Sequence, residues 1–358
     1  MPRGYGLSEM NNCFYQTFFL TVLFILLLAA LPALAQEPTG GGEIVHDIVG
    51  GAALIFRKPV NPTVHDAATP ERGSALGGKI AGRGGSKTSA REQEKMLARG
   101  NAARSAPKPR YAEAEEQYQL AAQLVPTDER AFAGLGNVYV DQGRFAEAVE
   151  AYKRALKLNP DYQAAYMPLA FSLERLKKYP ESIDVYLQTV KQDPVNPEVY
   201  NNLGFTYNQA ERYAEAVEVC KQAIKLLGET GEAYRQGLQD RKEVLSHAYK
   251  NLGNAYNGLK RYEEAADALK QSTVIEPTNA AAHFNLGLTL FNAGRYSEAI
   301  ESYKEVIKLR PALAPAHFNL GLAYHAIHDQ TSAMAEYNAL KGIDARLASE
   351  LYDAIKKQ

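Results

Sequence analysis

Five histidines lie in the last third of the chain, and imidazole is the side chain that most often binds metals in proteins. They are His247, His283, His317, His325 and His328. A metal site needs several ligands at a set spacing, and no carboxylate or cysteine accompanies His283 and His317, which are 34 residues apart. The only cysteines, Cys13 and Cys220, are too few for a thiolate site. We therefore expect no metal and no cofactor, and we expect Cys220 to be a buried, unreactive side chain.

Motifs that would indicate catalysis are incomplete or missing from the sequence. Residues 82–88 resemble a phosphate-binding loop, but Ser86 stands where a glycine must precede the lysine, and Ala81 stands where the first glycine belongs. The sequence contains neither a nucleophile elbow nor a zinc-binding helix motif. It therefore predicts a protein that is not an enzyme.

Four asparagines share a position that could do a different kind of chemistry. They are Asn202, Asn251, Asn285 and Asn319, and the last three are separated by 34 residues each. A side-chain amide both donates and accepts hydrogen bonds, so it can pair with a peptide backbone whatever the sequence of that peptide. Their spacing indicates that a repeated element positions them.

The repeated element is visible along most of the chain. A small residue recurs every 34 residues at Gly136, Ala170 and Gly204, and again at Gly253, Gly287 and Gly321. An aromatic residue or leucine follows three residues later, another small residue twelve later, and a large side chain, mostly tyrosine, sixteen later. Proline closes most units, at Pro160, Pro194, Pro277 and Pro311. The small residues allow two helices to approach closely, and proline ends the second helix because it cannot continue the hydrogen-bond ladder.

This period and pattern resemble the tetratricopeptide repeat family, whose unit is a helix-turn-helix hairpin. The resemblance covers residues 93–345, or about seven units. It implies an all-α fold, a right-handed superhelical solenoid of helix-turn-helix units ending in a C-terminal capping helix. No unit can bury its apolar face alone, so the array is stable only when the units stack.

The resemblance also implies where a partner binds. In this family the first helices of the units line a concave groove, and the four asparagines occupy a position that points into it. They are similar to the asparagine ladder in the repeat domain of O-linked N-acetylglucosamine transferase. The alternative is that asparagine is only a common, soluble choice at this position. Lys250, Asn254 and Asn285 also match part of the family's clamp for a C-terminal carboxylate. Two basic positions of that clamp hold Pro315 and Asn319, which disfavours a doubly charged tail.

The N-terminal segment, residues 1–35, is predicted to be an export signal. Pro32 ends an apolar run, and Ala33-Leu34-Ala35 is a small-x-small pattern typical of signal cleavage, here before Gln36. The alternative is an uncleaved anchor, because residues 14–35 are long enough to cross a bilayer. Either interpretation places the repeats outside the cytoplasm, as a periplasmic, secreted or membrane-anchored protein.

The remaining boundaries follow from changes in composition. Residues 36–92 are a Gly- and Pro-rich basic stretch predicted to be a linker. The array, residues 93–345, is interrupted by an insertion at residues 231–245, which has helical character and is predicted to lengthen the helix entering the fifth unit. Residues 346–358 are predicted to be a C-terminal capping helix.

These observations predict a non-catalytic scaffold that binds an extended peptide or partner helix in the concave groove. Two alternatives stay open: an accessory subunit of a glycosyltransferase-like or other enzyme, and an architectural component of the cell envelope that assembles with copies of itself. Lys and Arg total 40 and Asp and Glu total 41, so no global charge favours nucleic acid. The expected partner is a protein or peptide, with a membrane tether through residues 14–35 and homo-oligomers as further options.

Overall fold

The computed structural model describes residues 85–229 and 238–356, all of them helical or in the turns between helices. Fifteen α-helices form seven consecutive hairpins, called units 1–7 here, followed by one further helix. The helices are α1 (Gly85–Arg104), α2 (Tyr111–Leu124), α3 (Glu129–Asp141), α4 (Phe145–Leu158), α5 (Tyr166–Arg175), α6 (Tyr179–Gln192), α7 (Pro197–Gln209), α8 (Tyr213–Glu229), α9 (Leu238–Gly258), α10 (Tyr262–Ile275), α11 (Ala280–Asn292), α12 (Tyr296–Leu309), α13 (Ala314–Ala326), α14 (Gln330–Lys341) and α15 (Ala345–Lys356). The predicted all-α fold of seven helical pairs with a terminal cap is confirmed.

The recurring small residues lie where the two helices of a hairpin touch. A Cβ atom added to Gly136 would be 2.6 Å from the ring of Tyr152, and one added to Gly287 would be 2.6 Å from the ring of Tyr303. Both rings are fully enclosed by the protein. The large residue sixteen positions on therefore fills the space that the missing Cβ leaves within the same hairpin.

The turn between the helices of a hairpin has one conformation in six units. The residue two positions before the start of each second helix has a positive φ, between 58° and 76°, at Gly143, Lys177, Glu211, Lys260, Gly294 and His328. The next N–H bonds to the carbonyl five residues earlier, as Arg144 does with Tyr139 at 2.8 Å. This left-handed helix stop satisfies carbonyls that a helix end would otherwise leave unpaired.

The buried tyrosines differ in how their hydroxyls are satisfied. Tyr118 Oη donates to Asn101 Oδ1 at 2.7 Å, and Tyr152 Oη donates to Asn137 Oδ1 at 2.8 Å, each within its own unit. The residue equivalent to Asn137 is Phe171 in unit 3 and Leu288 in unit 6. The hydroxyls of Tyr186 and Tyr303 consequently have no hydrogen-bond partner within the described residues.

We expect phenylalanine to have opposite effects at Tyr152 and Tyr303. Tyr152→Phe loses a buried hydrogen bond and should lower the free energy of unfolding by about 1 kcal/mol. Tyr303→Phe removes a buried hydroxyl without a partner and should be neutral or stabilising by about 1 kcal/mol. Urea unfolding of the two variants checks the difference; equal destabilisation by both would show that hydrogen bonding does not distinguish the two sites.

Residues 238–245 of the predicted insertion belong to a long first helix. Helix α9 begins at Leu238 and runs without a break to Gly258, 21 residues, whereas α11 and α13 have 13 each. Residues 230–237 lie outside the described residues.

The two ends of the array also bear on the predicted boundaries. Helix α1 begins at Gly85, so helical structure starts before the predicted array boundary at residue 93 and includes the end of the predicted linker. The export signal or anchor of residues 1–35 and residues 36–84 of the linker lie outside the described residues. At the other end, α15 packs on unit 7, and the Leu351 side chain fills the space beside Gly321.

None of the described helices combines the length and the apolar character that crossing a membrane requires.

Candidate peptide-binding groove

The four predicted asparagines lie on the first helices of units 4–7, but their surroundings differ. Asn202 on α7 is 1% exposed and Asn251 on α9 is 0% exposed. Asn285 on α11 and Asn319 on α13 are partly exposed. The structure therefore divides the predicted ladder into a buried half and an accessible half.

The buried half results from direct contact between α7 and α9. Asn251 Nδ2 donates to Asn201 Oδ1 at 3.0 Å, and Asn208 Nδ2 donates to the backbone carbonyl of Asn251 at 2.8 Å. Asn202 Oδ1 accepts from Asn201 Nδ2 at 3.3 Å, while Asn202 Nδ2 has no partner among the described residues. Asn251 thus joins α9 to α7, and Asn202 is buried on α7, so the expectation that these two asparagines face a ligand needs correction.

Lys250 needs the same correction. It is only 2% exposed, so its ammonium group is not presented to a ligand. Since Pro315 and Asn319 already occupy two basic positions of the family's carboxylate clamp, no cation of the clamp is available on this surface. The geometry therefore excludes a clamp for a doubly charged tail.

Two titratable groups are buried on the first helices on either side of α7, Glu174 on α5 and His247 on α9. Burial raises the pKa of Glu174, at the end of α5, to about 8, and the Thr206 hydroxyl lies 3.2 Å from its Oε2 atom. Burial, together with the charge of Lys250, lowers the pKa of His247 to about 3. Near neutral pH both groups are uncharged in the folded protein, which is why the protein interior tolerates them.

The accessible half of the row connects α9 to α11. Asn285 Nδ2 donates to Asn254 Oδ1 at 2.9 Å. Asn254 is available for this bond because its unit has Leu269 where units 1 and 2 have the tyrosine that bonds to the equivalent asparagine. Asn319 Nδ2 donates to the Pro315 carbonyl on its own helix at 2.9 Å. Each amide has two N–H groups and an oxygen with two lone pairs, so these single bonds leave capacity for a ligand.

The first helices of units 6 and 7 also differ from the others in charge. Neither α11 nor α13 contains Lys, Arg, Asp or Glu. Leu288 and Phe291 on α11 and Phe318 on α13 are partly exposed. We call Asn254, Asn285, Leu288, Phe291, Phe318 and Asn319 the neutral wall. It combines amides with apolar side chains and carries no formal charge.

His283, His317 and Cys220 each pack or bond within the repeat array. His283 Nε2 lies 3.0 Å from the Pro277 carbonyl oxygen, and His317 has an equivalent contact with Pro311. Within residues 85–229 and 238–356, no three His, Cys, Asp or Glu side chains come together as a metal site would require. Cys220 is fully buried beside Gly204, and burial raises the pKa of its thiol, as expected for an unreactive side chain.

The stacked helical hairpins define the class of protein. They are typical of helical repeat proteins, which act as protein-interaction scaffolds. Family models described as tetratricopeptide repeat match residues 134–197 and 185–218, and a model described as TPR repeat matches residues 253–294 and 289–327. Residues 134–218 and 253–327 are therefore tetratricopeptide repeats.

Solved structures of other repeat proteins are similar in fold. A tetratricopeptide repeat protein from Parabacteroides merdae matches with a TM-score of 0.55 at 15% identity, over 74% of this chain and 99% of that one. The pilF protein of Pseudomonas aeruginosa matches with a TM-score of 0.51 at 20% identity, over 64% of this chain and 97% of the other. The APC/C hetero-tetramer Cut9–Hcn1 matches with a TM-score of 0.50 at 21% identity over 64% of this chain, but this chain spans only 42% of the matched one. No curated protein sequence matches the chain.

Proposed function

We propose that the protein is a non-catalytic scaffold that binds an extended, uncharged peptide segment with large apolar side chains along the neutral wall. The observation that carries this proposal is the composition of α11 and α13, which present amides and apolar groups and no Lys, Arg, Asp or Glu. Tetratricopeptide repeat proteins are generally non-catalytic scaffolds, which supports the same reading. Because Asn202 and Asn251 are buried, the proposed site lies in units 5–7 and not along the whole array.

The chemistry of the neutral wall favours an uncharged partner. Moving a charged side chain from water onto an apolar surface without an opposite charge is costly, so a charged peptide segment binds weakly there. Leu288, Phe291 and Phe318 gain by burying apolar partner side chains, at about 25 cal/mol per Å² of apolar surface removed from water. Asn254, Asn285 and Asn319 supply hydrogen bonds to the backbone of an extended segment.

Selection of random displayed peptides on the full-length protein tests the proposal. We expect the enriched peptides to lack charged residues in the bound segment, and their affinity to change less than about twofold between low and high salt, since no ion pairs form. The double variant Asn285→Ala and Asn319→Ala should weaken binding by at least tenfold, about 1.4 kcal/mol. Asn338→Ala, an exposed asparagine on α14, is the matched control.

Two results would contradict this site. One is enrichment of acidic peptides whose binding falls steeply with salt. The other is equal affinity of the wild type, the double variant and the Asn338→Ala control. A thermal melt of the double variant, which loses the Asn285–Asn254 bond, distinguishes lost binding from lost folding.

We also propose that the scaffold works outside the cytoplasm, in a periplasmic, secreted or membrane-anchored form. The apolar run and the Ala33-Leu34-Ala35 pattern of the sequence support this. N-terminal sequencing of the protein from its native source is the test. A chain that begins at Gln36 means cleavage, an intact N-terminus in the membrane fraction means a tether, and an intact N-terminus in the soluble cytoplasmic fraction refutes export.

A further inference from the structure

His317, on α13, makes two polar contacts that join separate parts of unit 7. Its Nδ1 atom lies 2.6 Å from Glu336 Oε2 on α14, and its Nε2 atom lies 2.9 Å from the carbonyl oxygen of Pro311 in the turn before α13. The side chains of His317 and Glu336 are 9% and 18% exposed, so water screens this pair only weakly.

Both partners of the imidazole are hydrogen-bond acceptors. An ionised carboxylate and a backbone carbonyl have no hydrogen to donate, and a neutral imidazole has only one N–H. The neutral ring can therefore satisfy either Glu336 or Pro311, whereas the imidazolium ion donates to both at once. The geometry selects the protonated form.

The preceding unit provides an internal comparison. His283 is the equivalent of His317, and its Nε2 atom lies 3.0 Å from the Pro277 carbonyl oxygen, the same contact. The position equivalent to Glu336 is Ser302, whose hydroxyl donates to the Glu298 carbonyl on its own helix at 3.1 Å. His283 thus contacts a carbonyl oxygen but no carboxylate. The carboxylate is the group that favours a second proton on His317, so the two histidines differ in that group.

Other charged groups near α13 do not compete for His317. Glu336 is the only charged side chain acting on its imidazole in the described part of the chain. Helix α11 contains no charged residue other than histidine. On the remaining neighbours, Arg310 after α12 and Lys341 on α14 are exposed. Other charged side chains form pairs on their own helices, Lys304 with Glu301, Lys308 with Glu305 and Arg346 with Glu350.

We propose that His317, Glu336 and the Pro311 carbonyl form a pH-sensitive clamp, closed when the imidazole is protonated, that regulates the stability of unit 7. When the proton leaves, one of the two bonds is lost, and either α14 or the turn before α13 is held less firmly. Unit 6, with Ser302 in place of the carboxylate, has no such clamp.

The sign of the pH dependence follows from the direction of the pKa shift. The hydrogen bond to Glu336 raises the pKa of His317 above its usual 6.5, against the opposing effect of burial. A raised pKa means that the folded state binds the proton more tightly than the unfolded state. The contribution to stability is complete below about pH 6.5 and is lost as the pH rises through the raised value.

Histidine-selective NMR titration of the full-length protein tests the clamp. The signals of His317 and His283 are assigned from the single variants H317Q and H283Q. We expect His317 to titrate at a higher pH than His283 in the wild type. In Glu336→Gln, which keeps the shape and removes the charge, the midpoint of His317 should fall while that of His283 stays unchanged. The wild-type comparison decides the question even if the variant folds poorly.

Hydrogen exchange shows whether titration regulates unit 7. After correction for intrinsic exchange rates, protection of the α13 and α14 amides should fall between pH 6 and pH 8. The fall is up to tenfold for each pH unit by which the pKa of His317 in the folded state exceeds its pKa in the unfolded state. Protection of α11 and α12 is the internal reference, and Glu336→Gln should abolish the difference. The clamp is refuted if His317 titrates at or below His283, or if protection of units 6 and 7 changes in parallel with pH.

Discussion

Glu174→Gln is expected to stabilise the protein at alkaline pH and to leave it almost unchanged at pH 5. Glu174 is 7% exposed, and burial raises the pKa of its carboxyl from 4.5 to about 8. The folded protein therefore binds this proton more tightly than the unfolded chain does, so its contribution to stability is complete below about pH 4.5 and is lost as the pH rises through about 8. A shift of this size corresponds to roughly 3–5 kcal/mol lost by pH 9. Glutamine is neutral at every pH and avoids that loss.

Urea unfolding at pH 5, 7 and 9 measures the effect. The difference between Glu174→Gln and the wild type should grow steadily with pH. Glu181→Gln, which replaces an exposed glutamate on α6, is the control and should differ from the wild type by less than about 0.5 kcal/mol at each pH. Destabilisation by Glu174→Gln of equal size at all three values would mean that the carboxylate is charged and needed in the folded state.

Gly136→Leu is expected to cost about 3 kcal/mol or more, because it overpacks the contact between the helices of unit 2. The added Cβ atom alone would be 2.6 Å from the Tyr152 ring, and that ring is 1% exposed and cannot move aside. Leucine is a better helix former than glycine by less than about 1 kcal/mol, so propensity does not offset the clash.

Gly228→Leu is the matched control for this substitution. Gly228 is exposed near the end of α8, and no atom of the described residues lies within 4 Å of the position that its Cβ atom would take. The same exchange should therefore be neutral or stabilising by up to about 1 kcal/mol there. Thermal melts of both variants give the comparison, and similar melting temperatures for the two would rule out close packing as the reason for glycine at position 136.

The fold was predictable from the sequence because a repeated pattern reports packing directly. Gly136 and Tyr152 are sixteen residues apart in the sequence and touch in the structure, and the same spacing recurs at Gly287 and Tyr303. Each unit contacts mainly its neighbours, so a local period determines most of the tertiary contacts.

The accessibility of the asparagine row was not predictable in the same way. The period assigns Asn202 and Asn251 to the same position as Asn285 and Asn319, but it carries no information on how closely two first helices approach. The hydrogen bonds from Asn251 to Asn201 and from Asn208 to Asn251 occur at the units that flank the insertion, where the period is interrupted. An inserted segment changes the geometry between units without changing the pattern inside them.

The charge of the site could have been found from sequence alone. Helices α11 and α13 lack Lys, Arg, Asp and Glu in the printed sequence, and that fact needs no coordinates. The role of Asn254 became clear only in the structure. Its side chain bonds to Asn285 because Leu269 replaces the tyrosine whose hydroxyl would otherwise bond to Asn254.

The hydroxyl–amide bonds bear on how such an array can grow by gene duplication. In unit 2 the bond from Tyr152 to Asn137 has both ends in the same unit, so a copied unit carries its own partner. In unit 6 the amide of Asn285 depends on Asn254 of unit 5, so unit 6 inserted after unit 3 or unit 4, which have phenylalanine at the equivalent position, loses that acceptor. The N-terminal units therefore resemble interchangeable modules, whereas units 5 and 6 are inherited as a pair.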